Sequence, residues 1–164
     1  MAAVHFTYTC AVGEVIPREA THVTVINTKV VPVDAFRGHP NIVEIVCHED
    51  VEKVEKSAFQ SCPSLRRVVM PGVTVVEGGA FIWSKALTHV ECGKLEIIKG
   101  MAFVGCESLR SINLESARIL EKAAFLGCEA LTGVKFGSKL EKIEEKAFTK
   151  CKSLEQITIP LRIT

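Results

Sequence analysis

A chain of 164 residues with 48% hydrophobic and 24% charged residues is long enough and apolar enough for one buried core. Twenty Lys plus Arg against nineteen Asp plus Glu leave a net charge of +1, without the basic excess of a general nucleic-acid binder. No apolar run reaches the ~18 residues that membrane insertion needs, and the seven cysteines form no Cys-x-x-Cys, so reduced, buried thiols are expected.

The N-terminal stretch MAAVHFTYTCAVGEVIP has neither a basic start nor a continuous apolar segment. No secretion signal is read there, and the expected setting is cytoplasmic. VHFTYTCAV alternates instead, with Phe6, Tyr8, Cys10 and Val12 on one side and His5, Thr7 and Thr9 on the other. It is predicted to be a capping strand. ATHVTVI, from residue 20, sets Val23 and Val25 on the inner side of a second strand. Residues 1–27 are thus expected to form a cap and an adapted first coil, with 28–164 a repeat array in the same domain.

The array is registered on Phe36, Phe59, Phe81, Phe103, Phe125 and Phe148, each preceded by Ala, at spacings of 23, 22, 22, 22 and 23. Six residues after each Phe stands Ile42, Leu65, Leu87, Leu109, Leu131 or Leu154. Nine after stands Ile45, Val68, Val90, Ile112, Val134 or Ile157. Five before stands Val31, Val54, Val76, Ile98, Leu120 or Ile143. The LxxVxL segment reads as a strand, because its last two apolar members alternate. The Ala-Phe segment is too short for an independent helix and is predicted as one turn of helix or 3₁₀. One coil cannot bury its apolar side, but stacked coils cover each other. The expected architecture is an α/β, right-handed solenoid with a parallel sheet on the concave side and short helical or 3₁₀ turns on the convex side. The extra residue of the longer spacings falls in HEDVEKV and GSKLEKI, where a surface loop absorbs it.

The motif AFxxCxSLxxVxL followed by LExI resembles that of BspA-like leucine-rich repeats, over residues 28–161. The resemblance implies a non-enzymatic scaffold that supplies a binding surface. For many members it also implies a place on a microbial or protist cell surface and a role in adhesion.

The side chains beside the buried strand residues are predicted to point to the concave face. One row is Glu44, Arg67, His89, Ser111, Gly133 and Gln156, and the other Val46, Val69, Glu91, Asn113, Lys135 and Thr158. The first coil adds His22 and Thr24. Val46 beside Val69 makes the apolar spot. Solenoids bind along such faces, so these residues are the candidate contacts for a protein partner. Trp83 takes a turn position held elsewhere by Gly38, Ser61, Gly105, Gly127 and Lys150. It is either an exposed contact hot spot or folds back over the neighbouring coil, into a gap left by Ser84.

Three residues after each Phe comes His39, Cys62, Ser84, Cys106, Cys128 or Cys151. The column reads as a small side chain at a tight corner, with a redox or metal role as the alternative. His89 with Glu91, and His48 near Glu44, lack a nucleophile or third partner. No nucleotide, hydrolase or metalloprotease motif is present. No catalytic residue, metal or cofactor is therefore expected. ITIPLRIT follows directly on the last strand and leaves Leu154, Ile157 and Ile159 open, with Pro160 blunting the edge. Either the chain is a piece of a longer repeat protein or another molecule covers this end, and a homodimer through the last coil is the expected form of that cover. The functional expectation is a protein–protein interaction module. The alternative is a microbial or protist surface adhesin, or a fragment of one, binding host or matrix protein or glycan.

Overall fold

The computed structural model describes residues 2–160. The first strands of successive coils form one parallel sheet: β1 (His5–Tyr8), β2 (His22–Val25), β4 (Glu44–Cys47), β6 (Arg67–Val69), β8 (His89–Glu91) and β10 (Ser111–Ile112). Beyond the single Leu114–Phe136 bridge, β12 (Gly133–Lys135) and β14 (Gln156–Thr158) pair parallel to each other and extend it. The sequence columns are the strand register: Ile45 pairs with Val68, Val68 with Val90 and Val90 with Ile112. These inward positions are buried because the pleat sends every second side chain to the same face.

A second parallel sheet runs along another side of the coil. It consists of two-residue strands: β3 (Val30–Val31), β5 (Lys53–Val54), β7 (Val75–Val76), β9 (Ile97–Ile98), β11 (Ile119–Leu120) and β13 (Lys142–Ile143). In the first five the leading residue is partly exposed and the second is buried. The column five residues before Phe is therefore the inner half of a ladder that the sequence pattern did not reveal as a strand.

The six phenylalanines form one spine. Neighbouring rings from Phe36 to Phe148 lie with centroids 4.8–5.5 Å apart and planes within 3–21° of parallel. Tyr8 of the cap meets Phe36 edge-on at 5.2 Å. Beyond their burial, such pairs each contribute roughly 0.5–1.5 kcal/mol. Tyr8 is buried and Phe6 half-buried, as the cap alternation predicts, but Val12 is fully exposed. Cys10 adopts φ 60°, which ends the alternation before Val12.

The Ala-Phe segments are not helical. Among the described residues no α- or 3₁₀-helix forms, which corrects the expectation for this side. Two left-handed residues flank each Ala-Phe pair. Two before Phe they are Asp34, Ser57, Gly79, Met101, Ala123 and Lys146; two after, Gly38, Ser61, Trp83, Gly105, Gly127 and Lys150. A helix cannot pass through isolated left-handed positions. The amides also have other partners. Phe N–H donates across coils to the Ala carbonyl of the next repeat, from Phe36 to Ala58 at 2.7 Å through Phe125 to Ala147 at 2.8 Å. The amide two residues on does the same, as in Trp83 to Val104 and Gly105 to Leu126, both at 2.8 Å. These alternate amides bond along the stack, while those between them close separate turns within the segment, as in Ala58 to Glu55 at 3.3 Å and Gln60 to Ser57 at 3.0 Å.

Candidate binding surface

The first sheet carries the predicted rows on its outer face. His22 pairs with Glu44, Glu44 with Arg67, Arg67 with His89, and His89 with Ser111. Beside them Thr24 pairs with Val46, Val46 with Val69 and Val69 with Glu91. Gly133 with Gln156 and Lys135 with Thr158 continue both rows on β12 and β14. The cap adds His5 and Thr7, which the sequence reading did not assign to this face; the His5 and His22 rings lie 5.0 Å apart. Their signal was present in the alternation of VHFTYTCAV.

Arg67 is the electrostatic centre of the face. Its Nη1 donates to Glu44, and its Nε and Nη2 donate to Glu91 Oε1 at 2.9 and 2.6 Å. The carboxylates, Glu44 first, raise the guanidinium pKa above its ordinary value. All three groups reach solvent, so the pairs are exchangeable. Next to Glu91 a hollow of about 460 Å³ opens between Val69, Ser111 and Asn113. Two predicted contacts have duties within the chain. Asn113 Oδ1 accepts from the Glu115 amide at 2.9 Å, closing a turn, and Lys135 Nζ reaches Glu115 Oε1 at 2.6 Å. A larger hollow, about 590 Å³, lies at the corner where Val4, Thr21 and Val43 lead into the sheet.

Trp83 combines the two alternatives read for it. A side chain at Gly105 of the next coil would meet the indole at 2.7 Å, so the ring lies on that glycine, yet it is 48% exposed. Ser84 leaves no gap. Its hydroxyl donates to the Phe59 carbonyl at 2.6 Å and accepts from the Cys62 amide at 3.2 Å.

The rest of that column behaves alike. The thiols of Cys62, Cys106, Cys128 and Cys151 donate to the carbonyls of Phe36, Phe81, Phe103 and Phe125 at 3.0–3.2 Å. His39 Nε2 is 3.1 Å from the Pro17 carbonyl, which only accepts, so that nitrogen carries the proton. Burial lowers the His39 pKa. Burial pushes the thiols of Cys62 and Cys92 up to about 11 and that of Cys47 to about 12, with Cys106 and Cys128 also raised. Protonated thiols remain donors. The seven cysteines are unpaired, and among the described residues no group of three or more His, Cys, Asp or Glu is placed to hold a metal. Among those residues, too, no helix is long and apolar enough to cross a membrane.

Two parallel ladders wound around a phenylalanine spine at a 22–23-residue period define a leucine-rich-repeat solenoid of about six turns. The chain belongs to the BspA type leucine-rich repeat family, whose model matches residues 20–119 and 74–164 in six copies. The fold is similar to that of a Treponema pallidum leucine-rich repeat protein, with TM-score 0.80 and 21% identity over 94% of this chain and 73% of that one. A leucine-rich cell surface protein of Faecalibacterium prausnitzii is 25% identical, with TM-score 0.63 over 87% of this chain and 52% of that one. A Bacteroides ovatus leucine-rich repeat protein gives TM-score 0.72 and 22% identity over 87% and 38%. No curated protein matches the chain. The family is typically one of protein-interaction or surface proteins, and the solenoid is generally a non-enzymatic scaffold.

Proposed function

We propose that the chain is a protein–protein interaction module that binds through the outer face of its first sheet. The reading rests on the Val46–Val69 pair, which leads into the 460 Å³ hollow and is rimmed by the Glu44–Arg67–Glu91 pairs. An apolar centre inside a polar, exchangeable rim is the anatomy of a transient interface. The test is a photo-crosslinking residue at position 69. It should capture one discrete partner from source cells, and Arg67→Glu should abolish capture while the circular dichroism spectrum stays unchanged. The same label at Lys139, in the loop between the two sheets, should capture nothing. Equal capture from both positions refutes the reading.

The setting proposed with it is cytoplasmic: the seven thiols are unpaired and four of them donate to phenylalanine carbonyls, a state that a reducing compartment maintains. The 25% identity to the F. prausnitzii cell surface protein favours a second reading, in which the same face belongs to a surface attachment protein. Biotinylation of intact source cells separates the two, since only a surface protein is labelled. A second copy is proposed at the last coil, where Ile157 and Ile159 are exposed and β14 is an edge strand among the described residues. A single-chain mass by light scattering at high concentration refutes that dimer.

A further inference from the structure

The cap end of the first sheet brings two imidazoles together. His5 stands directly opposite His22 in the parallel register, and both lie on the outer face because Phe6 and Val23, their chain neighbours, turn to the core. The ring centroids are 5.0 Å apart and the planes 35° from parallel. An ion bound at about 2.0–2.1 Å by one nitrogen of each ring lies about 3.2 Å from each centroid. Two such rings then have centroids roughly 4.5 Å apart at a square-planar corner and roughly 5.2 Å apart at a tetrahedral one. The observed separation falls between those values. His22 is also held from behind. Its Nδ1 lies 2.9 Å from Thr21 Oγ1, which accepts from the Val4 amide at 2.8 Å and lies 3.3 Å from the Val4 carbonyl. With the ring proton on Nδ1, His22 donates to Thr21, the Thr21 hydroxyl donates to the Val4 carbonyl, and Nε2 keeps its lone pair. A ligating histidine is commonly fixed in this way through its other nitrogen.

We infer that His5 and His22 form a chelating site for a divalent transition cation of the nickel, copper and zinc group. Imidazole suits those ions, whereas calcium and magnesium take oxygen donors. The surroundings favour positive charge: Glu44 pairs with His22 on the next strand, and Glu19 lines the corner hollow beside it. Arg67, two strands from His22, has its charge offset by Glu44 and Glu91. The exposed His5 ring turns to meet an ion that His22 holds. Two protein donors leave the other coordination positions to water, so the ion is exchangeable and not a resident structural metal. The same row contains a natural control. His89 has an equivalent threonine, with its Nδ1 2.9 Å from Thr88 Oγ1, but its strand neighbours are Arg67 and Ser111, and neither is an imidazole. The site shares the outer face with the proposed protein contacts, but it rests on the geometry of the cap and not on that reading.

Nickel chloride titrated into the tag-free, isotope-labelled protein is the test, because Ni(II) is paramagnetic and broadens the amide NMR signals around it. The expected result is saturable broadening centred on β1 and β2, at a Kd on the order of 10 µM. His5→Gln and His22→Gln should each weaken binding at least roughly tenfold, since the ion then keeps a single imidazole and loses the gain from a second donor held beside it. His89→Gln should leave the Kd within about twofold of the parent value. The replaced side chains all reach solvent, and the amide spectrum of each variant reports directly on its fold. The proposal is overturned if no saturable broadening appears below about 1 mM nickel. It is overturned equally if the broadening centres elsewhere, as at His48 beside Asp50 or at the half-buried Cys10. A smaller loss than stated in either single variant, or an equal loss in His89→Gln, has the same consequence.

Discussion

At Ser84 the column three residues after phenylalanine exchanges sulfur for oxygen, and the hydroxyl still reaches the preceding coil's carbonyl, at 2.6 Å against 3.2 Å for Cys106 and Cys128. Size alone does not account for that substitution; a donor does. Cys106→Ser should therefore cost less than half of what Cys106→Ala costs, with the alanine losing about 1–2 kcal/mol through the missing bond and a small void. Urea unfolding of the two variants decides it, and a greater loss in the serine variant removes the donor argument. The same burial sets a pH dependence. A thiol whose folded pKa lies above its ordinary 9.0 favours the fold fully below pH 9 and loses that advantage as pH rises towards 11–12. Stability should be level from pH 7 to 8.5 and fall above 9, by at most about 1.4 kcal/mol per pH unit for each thiol. The Cys62→Ser/Cys92→Ser variant should show a shallower fall, and an unchanged slope assigns the effect to other groups. In native protein, a thiol reagent should reach only the half-buried Cys10 and Cys151 quickly, leaving five thiols for the unfolded chain.

Each coil turns its corners with backbone, and that is where substitution should hurt most for its size. A Cβ at Gly72 would stand 1.9 Å from the Glu49 carbonyl oxygen, and one at Gly137 2.0 Å from that of Glu115. Neither neighbour is a flexible side chain that can step aside. Gly137→Ala should cost about 3 kcal/mol or more, whereas Gly93→Ala, with open space around it, should stay within about 1 kcal/mol. Thermal melts of both variants test the contrast, and equal shifts would contradict the close approach. These corners were not legible in the sequence, where Gly72, Gly93 and Gly137 look alike. The strand columns were legible, because a buried position tolerates few residue types and six coils repeat the restriction. The second sheet was hidden because a two-residue strand is too short to display alternation. The Ala-Phe segment reads as a helical turn because the Ala, Lys and Glu around its Phe suit a helix. Left-handed Ser57, Met101, Ala123 and Lys146 carry no sequence mark of their conformation; the stack imposes it through the amide ladder between coils. On the candidate face the positions could be read, but their partners could not. Glu115, which holds both Asn113 and Lys135, lies outside the repeating columns.

A solenoid's cohesion is a sum over neighbours, so the same side chain is worth different amounts at different heights in the stack. Leu109 is fully buried between the coils of Phe81 and Phe125, while Leu154, six residues after Phe148 as Leu109 is after Phe103, is only half-buried. In the last described coil Ile143 and Ile157 also reach solvent, whereas Ile98 and Leu120 in the middle do not. Leu109→Ala opens a cavity closed on both sides and should cost about 2–5 kcal/mol. Leu154→Ala, removing the same atoms from a site already partly wet, should cost about 1 kcal/mol, and Lys139→Ala almost nothing. Hydrogen exchange follows the same gradient. The amides of Gln156–Thr158 should exchange by local fraying, with protection at least ~100-fold below that of Val68 and Val90, which open only with the whole stack. The two measurements bear on the fold in different ways. Equal costs for Leu109→Ala and Leu154→Ala would mean that another surface covers the last coil in solution, and protection at 156–158 equal to that of the centre would identify the strand edge as the part covered. If the leucines differ as stated while 156–158 is protected, the cover pairs with the backbone edge and leaves the hydrophobic end open.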